Sequence, residues 1–229
     1  MTTHMDMDNP LDLFEGLEDQ DKAAILKSGH TVHCRPGQPL FNQGDPAKRC
    51  FMVIRGRLKL SKLHEQGKEA IIRYIGPDET TAALAVFKGR RYPVTARAVG
   101  DTLVVAWDKA TMDHLIANHP ALARNLLHMT LERLEDIQTR YLELRTEMVE
   151  QRIARALLRI MQHAGRRTDD GILINLPLSR QDLADYSGTT LYTVSRTLSA
   201  WEKRGWVRSG RERIVVADPH ALVLFSEKG

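Results

Sequence analysis

No glycine or proline interrupts the chain between Pro120 and Gly165, and that stretch constrains what the 229 residues can build more than any other feature. Glycine costs a helix interior about 1 kcal/mol and proline about 3, so a run this long without either reads as helix. Within it Leu127, Leu134, Tyr141 and Met148 recur every seven residues, and Thr130, Ile137 and Leu144 form a second row. Two rows interleaved at spacings of three and four are the seam of a two-chain coiled coil. The spacing predicts a dimerisation helix over residues 119–148 and a homodimer built on it. A second helix is expected from about Glu150 to Ala164, ended by the polar loop Arg166–Gly171 and followed by a short strand, 172–176.

Before that helix the chain has a different rhythm. Short β-rich runs (31–34, 39–41, 51–54, 57–63, 69–75, 94–99 and 102–107) are cut by turn residues such as Pro36-Gly37, Gly44-Asp45, Gly56, Gly67, Gly76-Pro77 and Gly100-Asp101. Many short strands at regular spacing predict a roll or sandwich rather than βαβ units. Leu11 to Leu26 has the apolar spacing of a flanking helix. The expected architecture is α+β: a β-roll with an N-terminal helix over 1–118, the long helix over 119–148, and a third unit over 149–229.

The third unit holds the most informative segment, residues 178–207. Ser179 with Asp182 three residues later is a capping-box-like start for a short helix. Ser187-Gly188 breaks that helix, and Thr189 or Thr190 caps a second one. Val194, Leu198 and Trp201 lie on one face of the second helix. Tyr192, Thr193, Ser195, Arg196 and Ser199 lie on the other, a polar, short-chained surface suited to a major groove. A hairpin follows, with a turn read at Ser209-Gly210 and Arg208, Arg211 and Arg213 around its tip. Helix, turn, helix and basic wing together predict a winged helix-turn-helix that binds double-stranded DNA. Charge agrees: residues 150–229 carry thirteen Lys and Arg against nine Asp and Glu, while residues 1–149 balance at twenty and twenty.

Other classes are poorly served. No apolar run approaches the roughly 20 residues of a membrane span. The opening MTTHMDMDNP lacks the basic and apolar regions of a signal peptide, so a cytoplasmic chain is expected. His30 and His33 are three positions apart, on opposite faces of a strand, and no nucleophile elbow, P-loop or His-Glu-x-x-His pattern occurs. An enzyme is not expected, nor is a metal site.

The β-roll glycines (Pro36-Gly37, Gln43-Gly44-Asp45, Ile54-Arg55-Gly56), the long helix and Thr193-Val194-Ser195-Arg196-Thr197-Leu198 together resemble the Crp/Fnr superfamily of transcription regulators, over nearly the whole chain after residue 12. Residues 188–205 resemble most its NnrR-like branch, which controls nitrite and nitric oxide reductase genes. The resemblance implies an activator that recruits RNA polymerase, with nitric oxide or nitrogen oxides as its signal. It places Ser195 and Arg196 at base edges, Arg196 bidentate to guanine. It places Thr190 and Thr193 at phosphate or pyrimidine, and Lys203, Arg208 and Arg211 at phosphate. Ser179, Arg180, Thr189 and Tyr192 complete the expected DNA-facing set. Tyr192 stands where the Fnr-like pattern has glutamate, so the half-site is expected to differ at that pair.

The same resemblance frames the effector. The Gly-Glu pair that holds ribose in cyclic-nucleotide receptors falls on Ala82-Ala83, and the Arg-Ser pair for phosphate falls on Tyr92-Pro93. A cyclic nucleotide is therefore not the expected ligand, although Arg90 and Arg91 lie close by; a cyclic-nucleotide-responsive regulator, or one for another pathway with an unidentified effector, is the alternative. No cysteine precedes Cys34, which excludes the N-terminal cysteine cluster of an iron–sulfur sensor. Haem, implied by the NnrR-like resemblance, needs an axial ligand, and none of the nine histidines is singled out by spacing; His128 would lie near the roll. The effector and its ligands are left unassigned at this level.

Overall fold

The computed structural model describes residues 13–65 and 67–227. His4 and the start of the expected N-terminal helix lie outside them. Helix α1 (Asp19–Ser28) begins later than apolar spacing alone suggests. Residues 13–16 turn instead, because Leu13 and Phe14 are drawn into the core and the buried Asn125 side chain donates to the carbonyls of Leu13 and Glu15, 2.9 Å each.

Eight strands follow in chain order: β1 (His30–Cys34), β2 (Pro39–Phe41), β3 (Arg49–Arg55), β4 (Leu58–Leu63), β5 (Glu69–Ile75), β6 (Thr80–Thr81), β7 (Thr95–Ala98) and β8 (Thr102–Asp108). They form two antiparallel sheets, in the orders β1-β8-β3-β6 and β2-β7-β4-β5. The short helix α2 (Ala83–Phe87) crosses between β6 and β7. The turn at Gly56 needs glycine: its φ is +88°, and a Cβ there would meet the Asp101 carbonyl oxygen at 2.5 Å. Phe41, Phe51, Val53, Leu58, Ile75 and Val104 fill the space between the sheets. Cys34 and Cys50 are free and buried. Burial raises both thiols, Cys50 to about 12. Ellman's reagent at pH 8 is expected to find neither thiol within minutes in the native chain, and both after unfolding.

Helices α3 (Lys109–Asn118) and α4 (Pro120–Thr146) continue the chain, and α3 went unrecognised in the sequence. The 27-residue α4 spans about 40 Å. Its inner side packs on the roll through Leu122, Leu126 and Met129. The outer stripe carries Leu127, Leu134, Ile137, Tyr141 and Leu144, each at least half exposed, together with exposed Thr130. Met148, 73% exposed, sits in the extended link to α5 (Val149–Ala164). The seven expected seam residues are thus open to a partner.

The last unit is a four-stranded sheet with helices on it. Strands β9 (Gly165–Thr168) and β10 (Gly171–Ile174) precede helices α6 (Arg180–Ser187) and α7 (Leu191–Lys203); β11 (Val207–Gly210), β12 (Arg213–Val216) and α8 (Pro219–Glu227) follow, with sheet order β11-β12-β10-β9. Two local expectations are corrected. Residues 166–168 pair with β10 rather than looping. The wing turns at Arg211-Glu212, where Glu212 has φ +52°, while Ser209 and Gly210 stay in the strand. Ile71 and Tyr74 of β5 share one core with Leu157, Ile160, Leu183 and Trp201, so roll and winged helix are packed together.

Candidate nucleic-acid interface

The helix-turn-helix is held by two caps and one glycine. The Ser179 hydroxyl accepts from the Asp182 N–H at 3.0 Å, and the Ser179 N–H donates back to the Asp182 carboxylate at 3.2 Å, closing the capping box at the start of α6. Gly188 ends α6 with φ +67°, a conformation glycine adopts at little cost. Thr190, not Thr189, caps α7 by accepting from the Thr193 N–H at 3.2 Å, and the two hydroxyls lie 2.9 Å apart.

These caps fix which face of α7 is free. Val194, Thr197, Leu198 and Trp201 are buried. Tyr192, Ser195, Arg196, Ser199 and Lys203 fall within about 100° of arc on the other side. Tyr192 is 75% exposed and Ser195 half-buried. Among the described residues this is the α7 surface open to a base edge. Inside, the Thr197 hydroxyl is buried without a hydrogen-bond partner. An unsatisfied hydroxyl costs about 1–3 kcal/mol that an isosteric methyl does not. Thr197→Val is therefore expected to hold or raise the melting temperature and to leave duplex affinity unchanged.

The basic residues divide by what they touch. Arg196 reaches Glu150 of α5 at 3.3 Å, an exposed ion pair. Arg180 donates to the Ser209 hydroxyl at 2.9 Å, and Ser209 in turn donates to Glu202 at 2.6 Å, tying α6 to α7 through the wing. Arg208 pairs with Asp170 in the β9–β10 turn. Lys203 at the end of α7 and Arg211 at the wing tip are exposed, and Thr189 is half-buried in the turn. Sequence reasoning missed Glu150, Asp170 and Glu202, whose roles depend on distant partners.

A second feature joins this interface to the roll. Glu143 of α4 is buried and meets Arg159 and, at 3.8 Å, Arg155 of α5. Burial works against the Arg159 charge, but the hydrogen bond to Glu143 together with the negative charges of Glu143 and Asp136 outweighs it and raises its pKa. Arg140 of α4 hydrogen-bonds the Tyr186 hydroxyl of α6, lies 4.6 Å from its ring centre and donates to the Ile72 carbonyl at 2.7 Å. Lys59 of β4 reaches Asp182 at 3.0 Å.

Between the roll and α4 lies a cavity of about 410 Å³. Ala82, on the position expected from the resemblance for the ribose glycine, adopts φ +68°, so the backbone keeps a glycine-like turn without the glycine. Phe41, Leu60, Ile72, Leu126 and Met129 supply apolar walls; Arg90 and Arg91 stand at residues lining the same space. No histidine or cysteine lines the cavity among the described residues, so it offers haem neither an imidazole nor a thiolate, although Met129 and Tyr92 line it. His128 is exposed on α4. A smaller cavity of about 280 Å³ at the junction shares Arg73, Met129 and Arg133 with the first.

A β-roll joined by a long helix to a winged helix-turn-helix defines a DNA-binding transcription regulator with a sensor-type domain. The chain belongs to the Crp/Fnr family. A cyclic nucleotide-binding domain model matches residues 31–119, and a Crp-like helix-turn-helix domain model matches residues 151–225. The CRP-like cAMP-activated global transcriptional regulator of Mycobacterium tuberculosis is 24% identical over 92% of this chain and 94% of that protein. The transcriptional activator protein FnrA of Stutzerimonas stutzeri is 28% identical over 86% of this chain and 80% of its own length. The structure of FixK2 from Bradyrhizobium japonicum superposes with a TM-score of 0.74 at 25% identity, covering 86% of this chain and 96% of that one. These relatives are transcription regulators rather than enzymes. Among the described residues no helix is long and apolar enough to cross a membrane.

Proposed function

We propose that this chain acts in the cytoplasm as a homodimer whose paired α7 helices read a pseudo-palindromic operator, and that a small molecule in the β-roll cavity sets its affinity. The observation that carries this is the coexistence of two exposed faces: an apolar stripe along α4 and a polar face on α7 that meets the rest of the chain through the exposed Arg196–Glu150 pair. A dimer closed on α4 places two α7 helices about one DNA turn, roughly 34 Å, apart. Arg196 contributes base discrimination, Ser195 and Tyr192 flank it, and Lys203, Arg208 and Arg211 grip phosphate. The ion pairs from α4 to α5 and the Arg140–Tyr186 hydrogen bond from α4 to α6 carry a change in the cavity to the spacing of the α7 helices. RNA polymerase is recruited by the bound dimer, which makes the protein an activator.

The regulated genes are read as those of nitrogen-oxide metabolism. Residues 188–205 support that assignment, and a similar protein from Bradyrhizobium diazoefficiens, 27% identical over 83% of this chain, is named a nitrogen fixation regulation protein. The cavity lining holds no imidazole or thiolate for haem, so no step is assigned to it. A cyclic nucleotide is the second reading, favoured by the match over residues 31–119 and opposed by Ala82, Ala83 and Pro93 at the recognition positions. Chromatin immunoprecipitation with sequencing, with and without nitric oxide, tests the proposal. Promoter peaks that share an inverted repeat and change with the gas support it; no enrichment over an untagged strain contradicts it.

A further inference from the structure

We propose that Arg133 is the anion receptor of the β-roll cavity and that its ligand is an organic anion with a compact apolar body. This rests on the effector reading above and names the chemistry of the effector. Five cations line the cavity, Arg73, Lys88, Arg90, Arg91 and Arg133, and no acidic residue does among the described lining residues. They are not equivalent. Arg73 is paired with Glu79 at 2.9 Å. Arg91 is spent on the Gly44 carbonyl at 2.6 Å, and Lys88 and Arg90 are exposed at the rim. Arg133 projects from α4, and its buried Nε has no hydrogen-bond partner. Burial, reinforced by the neighbouring Arg73 guanidinium and partly offset by the Glu79 and Asp136 carboxylates, lowers its pKa to about 10, which leaves it charged at neutral pH.

A half-buried cation whose Nε is sealed from water without a partner, next to an arginine that Glu79 already pairs, is a poor arrangement for an empty cavity and a good one for a cavity that receives an anion. The remaining walls set what that anion is attached to. Apart from the Tyr92 phenol, polar side chains other than the cations are limited to the hydroxyls of Thr80, Thr81 and Thr130. A sugar phosphate would leave most of its oxygens unpaired against Phe41, Leu60, Ile72 and Leu126, whereas an aryl or branched alkyl acid fills the same space. Arg133 also lines the junction cavity, beside Asp136, Arg140 and Tyr186. An anion that draws its guanidinium toward the roll removes positive charge from beside Arg140, the residue that holds α6 through Tyr186, and so couples ligand binding to the DNA-binding unit.

Fluorescence titration of the full chain with two probes of nearly equal apolar body tests this: 8-anilinonaphthalene-1-sulfonate, an anion, and N-phenyl-1-naphthylamine, which is uncharged. The wild-type chain is expected to prefer the sulfonate by at least tenfold. Arg133→Leu should abolish the preference while still binding the amine, Arg133→Lys should keep part of it, and the cavity-filling Ala83→Trp should weaken both probes. Cyclic AMP should not displace the sulfonate. Equal affinity of wild type and Arg133→Leu for the sulfonate overturns the assignment, and displacement by cyclic AMP overturns the apolar-body requirement. Duplex binding measured on the same samples separates the two levels: probe results that fail while duplex binding holds reject the anion site alone, whereas absent duplex binding in every state rejects the regulator reading.

Discussion

Replacing Leu134 and Ile137 together with glutamate is expected to leave the chain monomeric and to lower its affinity for a palindromic operator by about 10²–10⁴-fold. Both side chains are half exposed in the single chain, 50% and 54%. Each therefore has about half its surface left to bury in a dimer, worth roughly 1 kcal/mol per side chain. Four such side chains across the two protomers, plus the cost of burying carboxylates in the seam, exceed what a seam of about three heptads tolerates. The monomer keeps both domains, because neither side chain belongs to the packed cores. What it loses is the second half-site, whose contribution comes from effective concentration rather than from new contacts. Light scattering and fluorescence anisotropy on the same samples check both halves. A dimer of unchanged affinity would place the interface elsewhere.

Arg196→Ala is expected to weaken binding to the specific operator by about 1–3 kcal/mol per half-site, roughly five- to 150-fold for each, and to relax choice at one base pair. Binding to random duplex should change little. The competing interaction in the free protein, the pair with Glu150 at 3.3 Å, is exposed on both sides and contributes at most about 1 kcal/mol. It therefore restrains Arg196 without holding it away from DNA. Glu150→Gln should consequently raise affinity only a few-fold. Equal losses on specific and random duplex would assign Arg196 to phosphate instead of a base.

Local chemistry made much of this legible before any coordinates. The apolar stripe along α4 could be read from Leu127 to Leu144 because heptad spacing is a property of the segment alone, and α6–turn–α7 could be read because Ser179, Gly188 and Thr190 act on residues within four positions. The failures share a cause. Strand β9 is exposed at every residue, so Arg166-Arg167-Thr168 shows no alternation and is defined only by its pairing to β10. The wing turn was misplaced because Ser209 looks like a turn residue, yet its N–H and hydroxyl both donate to Glu202 from α7. Arg133 carries no signal in its own neighbourhood: it matters because Arg73, 60 residues earlier, and the roll's apolar wall close around it. The pairs that join roll to winged helix, Lys59 with Asp182 and Arg140 with Tyr186, are separated by 123 and 46 residues, beyond the reach of any local pattern.

The claim on which the rest depends is that two copies of α7, fixed by α4, read bases on adjacent turns of one duplex. Repeated selection from a random duplex pool by the full chain at physiological salt addresses it directly. Enriched sequences should converge on two inverted half-sites centred about 10–10.5 bp apart, with a guanine preference in each that Arg196→Ala removes. Recovery of single, unpaired sites, or of no shared sequence at all, would contradict it.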